Sequence, residues 1–364
     1  MRSTDHDATQ AQAFAVRLFT AGLAAAELLA AYIGIRLGLY EALRSGGPAT
    51  AAQLAARGGI AHRYAREWLE QQSVAGVLEV DDPAKAADDR LYFLPPGHAE
   101  ALLDAESLFC VAPMALLPTG GIARVMPKLI DAYRTGGGVP YADYGDDFHV
   151  GQAMLNRAVF RHQLASWIER HIPDVHAQLL TGAIRVADIG CGAGWSSISL
   201  AQAYSRVHVD GFDLHEPSLV EARGRARASR VGDRVTFECQ DIRDLESARR
   251  YGLVCIFDAL HDMSQPVGLL RACRALIQDG GSLLLMEPRA AETFTTPGNE
   301  IERFLYTVSL LHCLPVGLCD SPSAATGTVM RPSTVRAYAT EAGFTHVDIL
   351  PIDHRFHRFY RLRP

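Results

Sequence analysis

The sequence predicts an α/β protein: a doubly wound, mostly parallel seven-stranded sheet with a terminal antiparallel hairpin, preceded by an α-helical and winged-helix region. Three observations carry this reading. At residues 185–201, RVADIGCGAGWSSISLA, a short apolar strand passes through a glycine turn into a helix. From residue 183 onward, strand-length apolar segments alternate with helix-length intervals. Before them, from Thr50, the pattern is helix, turn, helix and two short strands. The expected domains are residues 1–100 for the N-terminal helices and winged helix, 101–182 for a helical linker and substrate lid, and 183–364 for the sheet.

Taken in order, residues 11–45 read as one or two helices with apolar side chains almost all round, including Phe14, Leu18, Phe19, Leu23, Leu29, Ile33 and Leu37. A helix without a polar face is buried on most sides. A small region cannot cover it alone, so a homodimer formed through these helices is expected. Glu27 and Arg36 interrupt the stretch, so no uninterrupted apolar run reaches the roughly 18 residues of a membrane-spanning helix. Asp5 and Asp7 stand where a signal peptide would be basic, and the chain reads as soluble and cytoplasmic, with no membrane partner.

Thr50 is a natural helix N-cap and Gly58-Gly59 a natural turn, with a polar loop at 81–89 between the two wing strands. Winged helices often bind DNA, but the charge opposes it: residues 1–100 hold nine Lys and Arg against twelve Asp and Glu. In the second helix Arg63 and Arg66 are offset by Glu67 and Glu70, leaving no basic face for phosphates. No nucleic-acid partner is expected. The linker is mainly helical and rich in large apolar residues, broken by the turn-forming loop at 135–147. Tyr141, Tyr144 and Phe148, in and beside that loop, are candidate substrate contacts.

In the glycine stretch Gly190, Gly192 and Gly194 alternate, letting the backbone approach a ligand closely because glycine lacks Cβ and tolerates positive φ. The spacing is not that of a dinucleotide fingerprint, G-x-G-x-x-G, because the third glycine comes one residue early and Trp195 stands in its place. Six further strand-like segments follow: RVHVDGFDL, RVTFECQD, YGLVCIFDAL, GGSLLLMEP, HVDILPID and FHRFYRL. The connection between the last two is too short for a crossover helix, so they pair antiparallel. Composition adds little: 48% hydrophobic and 21% charged residues with a net charge of -6 describe an ordinary globular chain. Seven cysteines without a C-x-x-C pair read as reduced thiols, and no metal-ligand spacing appears.

The D-I-G-C-G-A-G string, Asp188 to Gly194, resembles motif I of class I S-adenosylmethionine (SAM) dependent methyltransferases, and the downstream strand ends fit it. Asp213 ends the second strand 23 residues past Gly190, where a carboxylate can accept both ribose hydroxyls. The resemblance gives the cofactor SAM. Its contacts are Asp188, Gly190, Cys191, Gly192 and Gly194 in the turn, Asp213 and Leu214 after the second strand, Asp241 and Ile242 after the third, and Phe257 and Asp258 at the end of the fourth. It also implies Asp241 at the adenine amino group and Ile242 at its face. The run Phe257 to Asp262 resembles the small-molecule O-methyltransferase segment in which a His-Asp pair follows the strand and the His takes the substrate proton. That makes His261 the catalytic base, with Asp262 or another nearby carboxylate as orienter. The sequence departs from that pattern at Met263, where Trp is common, and at Gln265, where an acid is. His312, in the expected helix at 300–314, is a candidate substrate contact or a core residue. The reading is methyl transfer to a small, aromatic or hydroxylated molecule, oxygen favoured; alternatives are carbon or nitrogen methylation, or a SAM-binding protein with regulatory or non-methylating chemistry.

Overall fold

The computed structural model describes residues 2–245 and 249–364, which form two compact units. One comprises residues 1–123 and 146–152, the other 124–145 and 153–364. The stretch 101–182, read in the sequence as one linker, is therefore shared between them.

The N-terminal unit holds the helices Arg2–Arg36, Leu39–Gly46, Ala51–Gly58 and His62–Val74, then an antiparallel wing of β1 (Glu79–Val80) and β2 (Tyr92–Phe93). Thr50 caps its helix in a reciprocal box with Gln53, and Gly59 at φ 62° carries the chain out at the other end. Leu39, Tyr40, Leu54, Leu69 and Tyr92 fill the core. The long first helix is anchored near its C-terminal end, where the Trp68 indole donates to the Ala30 carbonyl and both Tyr32 and Arg36 engage Asp147. The rest of its apolar surface lies open in the single chain: Phe14 is 61% and Phe19 74% exposed. Within the helix of residues 7–36, an 18-residue window has mean hydropathy 1.8, so by length and composition alone this helix could cross a membrane. Glu27 still interrupts that window, so no uninterrupted apolar run of this length is present, as read from the sequence.

The other unit is built on seven strands: β3 (Val186–Ile189), β4 (Val209–Asp213), β5 (Val235–Cys239), β6 (Tyr251–Phe257), β7 (Ile277–Pro288), β8 (His346–Leu350) and β9 (His357–Arg363). Their spatial order is β5-β4-β3-β6-β7-β9-β8, with β3 to β7 parallel and β9 antiparallel to both neighbours. The seven-stranded, mostly parallel sheet with a closing antiparallel hairpin is as the sequence predicts. The hairpin folds back so that its second strand lies inside its first. β3 and β6 are buried along their whole length, as strands covered on both faces must be.

Asp210 is a buried charged side chain away from the sheet's C-terminal edge. Asp210, in the middle of β4 and 1% exposed, accepts hydrogen bonds from Arg185 at 2.9 Å, Thr236 at 2.7 Å and Tyr251 at 3.0 Å, and so ties β4 to β5 and β6. Burial opposes its charge, but these donors outweigh the penalty and hold its carboxyl below the usual range. Asp210→Asn is expected to cost about 2–4 kcal/mol near pH 7. A depressed folded-state pKa contributes stability that is complete above the unfolded value of about 3.9 and is lost as pH falls through the folded one. Denaturant midpoints of wild type and variant should therefore converge below about pH 4. A gap unchanged from neutral to acid pH would contradict this role.

Candidate active site

The site is assembled at the C-terminal ends of the parallel strands, where the backbone of a buried sheet first becomes reachable. The turn after β3 carries three glycines in the left-handed region, Gly190 at φ 68°, Gly192 at 49° and Gly194 at 78°. Each has a different reason. A Cβ on Gly190 would lie 2.9 Å from that of Ala259, so the turn abuts the loop after β6. One on Gly194 would strike the Phe237 ring at 2.6 Å, and one on Gly192 would meet open space. The turn is thus packed at its two outer glycines and open at the middle one, the cradle that a ligand lying against the backbone requires.

Asp188 lies under the turn rather than on it. It is 1% exposed and accepts the hydroxyls of Ser196 and Ser197 at 2.5 Å each, which locks the turn to the first turn of the following helix. Burial pushes its carboxyl up to about 6, against the two hydroxyls. Cys191 is buried beside it, and burial drives its thiol well above the ordinary value. Asp213, at the end of β4, accepts from Gly192 N at 2.7 Å and from His215 N at 2.8 Å, so one carboxylate links two strand ends and keeps spare lone pairs. Leu214 beside it is 67% exposed. This open, glycine-walled cradle with a carboxylate at its rim fits the cofactor that the sequence resemblance implies.

The remaining candidates divide. Ile242 is buried in the core, and Phe257 packs against Phe160 with centroids 5.3 Å apart. Asp241 caps the short helix Ile242–Asp244, accepts from Arg243 N at 2.8 Å and pairs with the Arg243 guanidinium at 2.5 Å. Asp258 takes a positive φ of 57° and is held by Asn156 at 3.2 Å and His357 at 3.4 Å. Burial opposes its charge, but His357, His261 and the Asn156 amide outweigh it and hold the carboxyl well below the usual range.

His261 is 3% exposed on the short helix Leu260–Asp262. Its Nδ1 lies 2.6 Å from Oε2 of Glu287, and its Nε2 3.2 Å from Oδ1 of Asp262. Glu287, at the end of β7 and fully buried, also accepts the Leu260 amide at 2.8 Å. Of the possible orienters it is therefore Glu287 that grips the far side of the ring, while Asp262 faces the other nitrogen. The ring is not an unperturbed imidazole. Burial lowers its proton affinity, yet Asp262 and Glu287 together overcome this and raise it well above the ordinary value.

Tyr141 and Tyr144 stand on the short helix Tyr141–Tyr144. The Tyr141 ring meets His215 edge-on at 5.0 Å and His312 at 6.0 Å, and His312 meets Tyr144 at 4.8 Å. His312 is buried on the π-helical segment Ser309–Cys313, which interrupts the expected helix. Tyr144 is fully buried and donates to the Leu311 carbonyl. Burial, Asp213 and Asp262 all raise Tyr141, which places it within electrostatic reach of both strand ends. Phe148 belongs to the other unit, where it lies against Gly121. Sequence reasoning missed Glu287, although the rule that collected the first four strand ends applies equally to MEP at the end of the fifth. It also missed that Cys313 comes close to His261 and Asp262, a proximity across fifty residues that no spacing reveals.

Comparison with known proteins agrees with this geometry. Residues 186–281 match the model described as a methyltransferase domain, and residues 24–103 that of an Rv2258c-like winged helix-turn-helix domain. The ubiquinone biosynthesis O-methyltransferase of Bordetella avium is 31% identical over 217 residues, 54% of this chain and 82% of that protein. Its counterpart from Coxiella burnetii is 27% identical over 183 residues, 49% of this chain and 70% of that protein. Among solved structures, the mitomycin 7-O-methyltransferase MmcR aligns with a TM-score of 0.66 at 21% identity, covering 98% of this chain and 99% of that one. Human N-acetylserotonin methyltransferase in complex with SAM aligns with 0.69 at 16%, covering 96% and 97%. At such identities the structures speak for the fold, and the Bordetella relative, covered over four-fifths of its length, carries the assignment. The chain belongs to the class I SAM-dependent methyltransferases with an N-terminal winged-helix domain; it is a methyltransferase and its cofactor is SAM.

Proposed function

We propose that the enzyme methylates a small hydroxylated, aromatic acceptor on oxygen, with His261 as general base. The observation that carries this reading is the His261–Glu287 contact of 2.6 Å between two buried groups at the sheet's C-terminal edge. A carboxylate on Nδ1 fixes the ring's orientation and directs its chemistry to Nε2. Bound SAM supplies a methyl group already activated by the sulfonium charge. The acceptor then needs only to lose its proton, and a phenol with a pKa near 10 keeps that proton at pH 7. His261 takes it at Nε2, Glu287 stabilises the charge that the ring acquires, and Tyr141 and His312 flank the acceptor. Asp213 accepts the ribose hydroxyls, and Gly190 to Gly194 line the amino-acid part of the cofactor. The exposed apolar face of the helix Arg2–Arg36 is covered by a second copy of the chain, making a homodimer in the cytoplasm.

Three outcomes follow from this assignment. Asp213→Ala removes charge-assisted hydrogen bonds worth roughly 1.5–3 kcal/mol, so SAM should bind about ten- to a hundredfold more weakly by titration calorimetry; an affinity unchanged within about twofold would remove Asp213 from the site. For His261, only the deprotonated ring accepts a proton, and its folded pKa lies above the ordinary value of about 6.5. Accordingly kcat/KM should rise with pH along a limb above that value, and Asp262→Asn should move the limb to lower pH; a flat profile with a hydroxyl acceptor would exclude a titrating base. Sedimentation of the full chain should give a dimer at micromolar concentration that dissociates on Phe14→Glu with Phe19→Glu. A monomer, or a chain that sediments only with lipid vesicles, would overturn the dimer.

A further inference from the structure

We propose that His261, Asp262 and Cys313 form a zinc site, and that Zn²⁺ bound there switches off proton transfer by His261. One ligand atom from each residue lies within 4.8 Å of the others, giving a nitrogen, an oxygen and a sulfur donor around one point. This is the three-ligand set of an open zinc site, in which the fourth position is left to water or a substrate oxygen. Imidazole with a thiolate selects a borderline cation over magnesium or calcium, which favour oxygen ligands. The thiol and imidazole are buried at 3% exposure each, while the Asp262 side chain is 19% exposed and gives a way in.

Two further features point to a cation. Oδ1 of Asp262 is buried, and among the described residues no hydrogen-bond donor reaches it in good geometry. It faces the inward side of the cluster, 3.2 Å from Nε2 of His261. The opposite nitrogen already bears the carboxylate contact to Glu287, the outer arrangement that orients most metal-binding histidines. Cys313 closes the set from the π-helical segment Ser309–Cys313, whose widened turn is a common device at functional sites. On binding, the proton of the Cys313 thiol and any proton on Nε2 of His261 pass to solvent, and Asp262 with the thiolate supplies two negative charges opposite the cation's two positive ones. The cation then occupies the nitrogen that the acceptor hydroxyl needs. Zinc inhibition is thus competitive with acceptor and not with SAM. The inhibition rests on the base assignment above; the binding does not.

The test uses the full-length, chelator-treated protein and Co²⁺ as a spectroscopic probe. Titration should give a thiolate-to-cobalt charge-transfer band that saturates at one equivalent and is bleached by Zn²⁺. Cys313→Ser should abolish the band, whereas Cys239→Ser and Cys319→Ser, at exposed thiols, should leave it intact. Glu287→Gln should weaken Zn²⁺ binding about ten- to a hundredfold through loss of its hold on the ring. In activity assays, Zn²⁺ should inhibit in competition with acceptor, and Cys313→Ser should raise the inhibiting concentration at least about tenfold. A missing band, or one that survives Cys313→Ser, overturns the site; zinc inhibition unaffected by Cys313→Ser overturns the switch. His261→Ala separates the two readings: loss of the band with methyl transfer retained refutes the base and keeps the zinc site, while retention of the band refutes the zinc site.

Discussion

A sheet covered on both faces has room for charge only where its strands end, because a carboxylate taken out of water must be paired or hydrogen-bonded to remain ionised. In this enzyme that constraint gathers the chemistry at one edge. β3 and β6 are buried throughout, and carboxylates cluster at or just past the strand ends: Asp188 near the end of β3, Asp213 after β4, Asp258 and Asp262 after β6 and Glu287 in β7. Most of these have found donors of their own. Two serine hydroxyls hold Asp188, two backbone amides hold Asp213, and the Leu260 amide with a histidine ring holds Glu287. Asp210 is the exception inside β4, and it needs Arg185, Thr236 and Tyr251 together to stay there.

That crowding of acids sets the character of His261. A ring between Glu287 and Asp262 is a better proton acceptor than a free imidazole, and it also holds its own proton more firmly. The arrangement therefore trades readiness for strength. It gives a strong base once the ring is neutral, and it makes the same nitrogen attractive to any other electrophile of matching charge. Cys313 brings a thiol sulfur within 4.8 Å of a His261 ring nitrogen and an Asp262 carboxylate oxygen.

The N-terminal unit poses a different problem, one of area rather than charge. Its first helix is pinned at one end through Ala30, Tyr32 and Arg36, while aromatic and aliphatic residues such as Phe14, Leu18 and Phe19 face outward. So much exposed apolar surface is costly for a folded chain in water and calls for a cover.

How much of this the sequence determined follows from the range of the forces involved. Local rules fixed the Thr50 cap, the Gly59 exit, the glycine turn and all seven strands, because each depends on residues within a few positions of one another. The strand-end rule also put Asp188, Asp213 and His261 at the sheet's C-terminal edge, where the structure has them, since chain direction alone decides which end of a parallel strand a residue occupies. Only the tertiary structure decided that Glu287 rather than Asp262 grips Nδ1, that Asp188 lies beneath the turn, that Phe148 belongs to the other unit and that Cys313 meets His261. Those outcomes rest on contacts between segments tens of residues apart, and on the desolvation that packing imposes. Neither leaves a trace in spacing or composition.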